Sequence, residues 1–328
     1  MKKLFMVILF VFAFGLVSYA QDTTDTKDTA ETTEVVKTEE TKKEVSAASG
    51  FLYNDGTTNY VSLGIKFQID ATDQLSGVKK VYYITDLDNA FNVYLNPFGS
   101  FITEGKHYIA YKVEDNVGNF SAIKYFEFIM DLTAPETSIS TDKPIVKLGD
   151  TIYLSAKHNF TLYAIDKLSG LKSLEYQINN DAFGAYAAPF ALNGLTTGVH
   201  RINFKATDNV GNVSATTQYT FFLDNNAPTV NFDVEPVIFE KDGKKYVSSK
   251  SLVKISAQDN ETGIAQILFS IDGGEYKEYK YPIEKLQNGD HTIKAKAIDL
   301  VGNESPEVEL VVSVDNESPE GKIVPISR

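Results

Sequence analysis

Apolar residues fall on alternate positions through much of the chain. Starting at His200, the residues His200, Ile202, Phe204 and Ala206 share one face, while Arg201, Asn203, Lys205 and Thr207 share the other. The same alternation runs through His107, Ile109, Tyr111 and Val113, and again through His291, Ile293, Ala295 and Ala297. A second set follows each of these: Phe126, Phe128 and Met130; Tyr219, Phe221 and Leu223; Leu310, Val312 and Val314. A period of two with one apolar face predicts strands of an antiparallel sheet, buried on one side and wet on the other. Asp272-Gly273-Gly274 between the runs Ile267–Ile271 and Tyr276–Tyr279 predicts a hairpin. No stretch from residue 50 to 320 carries an apolar stripe at helical spacing.

The strands belong to a repeat. Tyr60-Val61-Ser62, Tyr153-Leu154-Ser155 and Tyr246-Val247-Ser248 stand 93 residues apart. An Asp with Gly four residues later follows the same 93-residue step, at Asp73/Gly77, Asp166/Gly170 and Asp259/Gly263. The motif D-x-V-G-N begins at Asp115, Asp208 and Asp299, at steps of 93 and 91. Each copy closes on an Asp four residues before a Pro: Asp131/Pro135, Asp224/Pro228 and Asp315/Pro319. A period this long describes tandem copies of a whole domain rather than a short solenoid unit. Several short strands in about 90 residues, punctuated by turns, read as a β-sandwich. The expected fold is therefore all-β, with three tandem Ig-like antiparallel sandwiches at residues 50–136, 137–229 and 230–320 and a tail at 321–328.

Composition then narrows the setting. The 328 residues carry a formal net charge of −13 and contain no cysteine. The acidic balance argues against nucleic acid and anionic lipid as partners. Without cysteine there is no disulfide framework, thiolate zinc site or thiol nucleophile. The first 20 residues read as a signal peptide: Lys2 and Lys3, an apolar run from Leu4 to Val17, then Ser18 and Ala20 before a cut. The mature chain is expected to hold no transmembrane helix. Residues 21–49, rich in Thr, Glu and Lys, have too little apolar surface to offset chain entropy and are expected to form a disordered spacer.

The recurring polar residues invite a chemical reading. The strand-initial histidine is expected at the rim of the core, bonded to a neighbouring turn. The D-x-V-G-N segment is expected to form a tight turn, with Asp closing an Asx-turn, Gly and Asn tolerating positive φ, and Val117, Val210 and Val301 plugging the end of the core. The other reading of these aspartates is calcium at the domain junctions, grouped in the second copy as Asp166, Asp208 and Asp224. The dense D-x-D-x-D spacing of a strong calcium loop is missing. Asn119-Phe120-Ser121 and Asn212-Val213-Ser214 have sequon form but arise from the same turn. Lys241, Lys244, Lys245, Lys250 and Lys254 read as a solvated strand edge that deters edge pairing. No hydrolase, zinc-protease, phosphate-loop or dinucleotide motif occurs. We assign no catalytic, cofactor-binding or metal residue at this level, and the expectation is a non-enzyme.

Four stretches of the third copy carry a family resemblance. FSIDGGEY (Phe269–Tyr276), NGDHTI (Asn288–Ile293), AIDLVGN (Ala297–Asn303) and VDNESP (Val314–Pro319) resemble the OmpL-type β-barrel domain repeat. That repeat belongs to spirochaete outer-membrane proteins and other bacterial surface proteins with Ig-like modules. The resemblance spans residues 51–320 and implies an outer-membrane-associated or cell-surface adhesin that binds a protein ligand such as host extracellular matrix. It implies no catalytic residue. The membrane-barrel architecture in the family's name conflicts with the chain's own pattern, because three separate cores would use the one apolar face each strand offers. Two other functions fit the same sequence: a periplasmic or envelope scaffold, and a carbohydrate-binding accessory protein.

Overall fold

Every regular element among the described residues is a strand, as the period-two pattern requires. The computed structural model describes residues 50–236 and 238–325. The expected signal peptide and spacer lie outside them. Among the described residues no helix is long and apolar enough to cross a membrane.

The second repeat shows the architecture most completely. Its larger sheet has six strands in the order Gly184–Ala185, Leu171–Ile178, Gly198–Asp208, Thr217–Leu223, Thr151–Leu154, Val146–Leu148. Its smaller sheet is Phe190–Ala191, Asn159–Ile165, Glu136–Thr141. The inward positions of both close one core containing Leu154, Phe160, Leu162, Ile202, Phe204, Phe221 and Leu223. The alternation read at His200–Ala206 and Tyr219–Leu223 is the buried face. The Tyr-x-Ser landmark is the strand that pairs parallel to the last strand, with Phe222 opposite Tyr153 and Leu223 opposite Leu154. Tyr60 and Tyr246 do the same opposite Ile129 and Ser313. This parallel neighbour in an otherwise antiparallel sheet gives the sandwich its Ig-like form.

The third repeat has the same six-stranded sheet, and its second face is the pair Thr229–Glu235 and Leu252–Gln258. The hairpin at Asp272-Gly273-Gly274 forms as read, with Leu268 opposite Glu278 and Phe269 opposite Lys277. Asp272 and Gly273 both take positive φ, 53° and 72°.

The first repeat departs from expectation on one side. Its six-stranded sheet is complete, but the opposing face is an extended segment tied by one bridge, Phe67 to Phe98. The Phe67 ring packs 4.9 Å from Phe128 and 5.7 Å edge-on to Phe101. In the second repeat the equivalent segment pairs with Glu136–Thr141. No described strand stands in that place in the first repeat, where description begins at Gly50. Tyr111 and Val113 are accordingly only half-buried, where Phe204 and Ala206 are buried.

Candidate functional site at the repeat junctions

The D-x-V-G-N segment folds on its own Asp. Asp208 Oδ1 accepts the N–H groups of Val210 at 3.0 Å and Asn212 at 2.8 Å, and its Oδ2 accepts Asn212 Nδ2 at 2.8 Å. Gly211 sits at φ +91°, which a side chain resists. Asp115 and Asp299 repeat these bonds. The Asp-xxx-Gly landmark is a second such turn: Asp166 Oδ1 accepts from Leu168 and Gly170, and Asp259 Oδ1 from Glu261, Thr262 and Gly263. In the second repeat Asn209 Nδ2 donates to Ser169 O at 2.8 Å and ties one turn to the other.

The closing Asp of each repeat joins the turns of the next one. Asp131 Oδ2 accepts the Ser169 N–H at 3.0 Å, and its carbonyl accepts Asn212 Nδ2 at 3.0 Å. One junction later, Asp224 Oδ2 accepts Thr262 Oγ1 at 2.9 Å and its carbonyl accepts Asn303 Nδ2 at 2.9 Å. Ser155 Oγ donates to Val301 O at 2.9 Å, and Lys157 Nζ donates to Gly302 O. Two carboxylate groups result: Asp131, Asp166 and Asp208 at the first junction, and Asp224, Asp259 and Asp299 at the second. In each, one oxygen from every residue lies within 4.8 Å of the others.

This corrects the grouping read from sequence. Asp166 and Asp208 do converge, but Asp224 is not with them; Asp131 of the preceding repeat takes that place. The strands explain why. Gly198–Asp208 and Thr217–Leu223 are antiparallel with Gly198 opposite Leu223, so Asp208 and Asp224 mark opposite ends of one sandwich. Ten residues of strand separate those ends, roughly 30 Å. The valines are corrected likewise. Val210 and Val301 are buried but belong to neither core cluster, and Val117 is 73% exposed. Val210 and Val301 plug the junction rather than the core, and Val117 plugs neither.

Burial sets the electrostatics. Asp131, Asp208, Asp224 and Asp299 are almost wholly removed from solvent. Burial, with Asp131 and Asp166 nearby, pushes the Asp208 carboxyl up. Burial, with Asp259 and Asp299 nearby, pushes Asp224 up to about 6. At Asp115 burial also acts upward, but the hydrogen bonds from Asn119 and Val117 outweigh it and hold the carboxyl below its ordinary range. Ion pairs among the described residues run elsewhere, as in Lys167–Glu136, Lys205–Glu175 and Lys254–Glu235.

The other recurring polar groups serve the fold. His107, His200 and His291 each direct Nε2 to a backbone carbonyl four residues earlier, at 2.8, 2.8 and 2.9 Å. Their Nδ1 atoms meet Asp86 at 2.8 Å, Asn179 at 3.0 Å and Asp272 at 2.7 Å. Each histidine thus latches the hairpin loop beside it, a partner that the sequence reading left unnamed. Asn212 Nδ2 already holds two acceptors, which leaves the sequon form as turn chemistry. Lys241, Lys244 and Lys245 lie on the edge hairpin of the third repeat, where Phe239–Lys241 is the outermost strand.

Residues 184–270 match the bacterial Ig-like domain (group 3) family. No curated protein matches the chain. Among solved structures, the Clostridium thermocellum CbhA fibronectin(III)-like modules are 16% identical with a TM-score of 0.34, over 56% of this chain and all of that one. A structure from a 1.5-MDa bacterial ice-binding adhesin is 14% identical with a TM-score of 0.37, over 74% of this chain and 90% of that one. A tetra-tandem repeat from the extending region of a large adhesion protein is 14% identical with a TM-score of 0.26, over 73% of this chain and 67% of that one.

Proposed function

We propose that this chain is a non-enzymatic, exported surface protein that binds a protein ligand, such as extracellular matrix, through its repeated Ig-like modules. The OmpL-type resemblance and the bacterial Ig-like family match support that reading. One observation carries it: the residues that recur in all three repeats are engaged in turns, histidine latches and junctions, while the hairpin loops differ. The first repeat has Thr85–Ala90 there, the second Asn179–Gly184 and the third Asp272–Lys277. Each loop is pinned at one residue by its histidine and otherwise faces solvent for the most part. Variable loops on a constant sandwich are where Ig-like domains place recognition.

Such loops offer small faces, so one module binds with micromolar affinity or weaker, and three linked modules gain from effective concentration. Surface plasmon resonance of single, double and triple modules against matrix proteins tests this. Tighter binding with each added module supports it, and equal affinity for one module and the whole chain replaces it with a single dedicated domain. Protease treatment of intact cells decides location. A surface protein is shaved away, whereas a protected one is an envelope scaffold whose repeats act as spacers.

A further inference from the structure

We propose that each junction between repeats binds one calcium-class divalent cation, held by Asp131, Asp166 and Asp208 with the Ser169 hydroxyl at the first junction and by Asp224, Asp259 and Asp299 with the Thr262 hydroxyl at the second. The proposal is independent of what the hairpin loops bind.

The carboxylates alone pose a problem. Three come from three chain segments of two repeats and place their oxygens within 4.8 Å of one another. Asp131 and Asp208 are fully buried, and no ion pair among the described residues compensates either group. Buried charge without a partner is costly, and like charges this close add to the cost.

A separate observation points to a ligand. Ser169 is 4% exposed, and its Oγ has no hydrogen-bond partner. Its own N–H is on Asp131 Oδ2, which roots the side chain at the carboxylate group. The hydroxyl at the same register one junction later, Thr262 Oγ1, reaches Asp224 Oδ2 at 2.9 Å. Ser169 stands 93 residues before Thr262, at the matching place in the second repeat. Buried hydroxyls nearly always have partners, so an orphan beside three carboxylates marks a missing electrophile. At the second junction Glu261 keeps a buried, unpartnered Oε2 as well, with its N–H on Asp259.

The donor set selects the cation. Every candidate ligand is oxygen, and calcium takes six to eight of these in flexible geometry. Asp208 Oδ1 and Asp166 Oδ1 each already accept two N–H groups, whereas Asp208 Oδ2 and Asp131 Oδ2 accept one hydrogen bond apiece and keep a lone pair for coordination. The first repeat supplies the internal contrast. Asp73 and Asp115 fold the same two turns, yet no third carboxylate joins them among the described residues.

Equilibrium dialysis of the full mature chain, stripped with chelator and titrated with calcium, tests the proposal. We expect two equivalents bound, with dissociation constants of roughly 10⁻⁴–10⁻³ M as in extracellular modules. Asp131→Asn should bind one equivalent, Asp131→Asn with Asp224→Asn none, and Asp73→Asn still two. Far-UV circular dichroism in chelator separates a lost site from a lost fold. Should the charge variants fail to fold, Ser169→Ala removes a hydroxyl and no charge, and should weaken only the first site, by about tenfold. No saturable binding, binding that survives in the double variant, or unchanged affinity in Ser169→Ala overturns the proposal.

Discussion

The same turn stands in two settings, at a pole of the first repeat that no described residue covers and at the covered pole of the second. Asp115 and Asp208 make the same hydrogen bonds, and Gly118 and Gly211 take the same φ, 92° and 91°. Val117 nevertheless lies in solvent and Val210 is buried. The turn is a local property of five residues, because Asp closes it with its own neighbours. Its burial is a property of what precedes it. A motif that closes on its own residues and is then covered by the repeat before it lets repeats stack, and in such arrays nearest-neighbour junctions add to each repeat's own stability.

The comparison breaks most visibly in the cores. Phe204 in the second repeat and Tyr111 in the first occupy equivalent inward positions, but only Phe204 is enclosed by a second sheet. Phe204→Ala should cost about 3–5 kcal/mol. Tyr111→Ala should cost about 1–2 kcal/mol, since less area leaves water there. Hydrogen exchange read on peptides of each repeat measures both, and equal losses would show that the first repeat's core is closed as fully as the second's.

Next come the glycines. Valine at either position must accept positive φ, a strain of about 1–3 kcal/mol. At Gly211 a Cβ would also meet the Phe51 ring of the first repeat at 3.0 Å, while at Gly118 it would meet nothing. Gly211→Val should therefore exceed Gly118→Val by about 1 kcal/mol. Matching denaturant midpoints would mean that Phe51 gives way and that the junction there is soft. The valines sharpen the contrast without strain. Val210→Ala removes two buried methyl groups and should cost about 1.5 kcal/mol, against under about 0.5 for Val117→Ala. A cost at Val117 equal to that at Val210 would reveal a cover over the first repeat's pole.

Sequence disclosed the local half of this. Strand faces, the Asp272 hairpin and the Asp-closed turns depend on neighbours within a few residues, and each was readable at its position; the histidines were readable as rim residues but their Nδ1 partners, 19–21 residues earlier, were not. What depended on distant chain was not. The grouping of Asp166 and Asp208 with Asp224 followed the repeat boundary, whereas Asp131 belongs to the turns that come after it. A signal was present: Asp131 directly follows the strand Lys124–Met130 and stands five residues before the strand Glu136–Thr141 of the next sandwich, which puts it at the seam. Ser155, Ser169 and Asn209 lay inside the recurring landmarks, but nothing in those landmarks showed which of them reach across a junction or bind the neighbouring turn. Which strand pairs with the Phe67 segment was not readable either, because that depends on chain outside the segment, and among the described residues only the Phe98 bridge meets it.

The smallest expected effect separates the second and third repeats, at their histidine latches. His291 faces the Asp272 carboxylate, whereas His200 faces the Asn179 amide. The hydrogen bond that His291 donates to the Asp272 carboxylate, then the one to the Gln287 carbonyl, raises the His291 pKa. The native state therefore holds that proton more tightly than the unfolded chain does. Its stabilising contribution is complete below the unfolded value of about 6.5 and disappears as pH rises through the raised folded value. The Asp272 carboxyl is held low by the Thr292 N–H and then by His291, so its share is present above about 3.9 and is lost on acidification. The pair should thus stabilise the third repeat most between about pH 4 and 6.5, by less than about 1 kcal/mol because Asp272 is half-exposed and screened. Asp272→Asn should flatten the decline between pH 6 and 8, and Asn179→Asp should introduce one into the second repeat. Urea midpoints across that range, with imidazole NMR titration of both histidines, read the outcome. A decline that persists in Asp272→Asn would assign it to another group and leave the two latches equivalent.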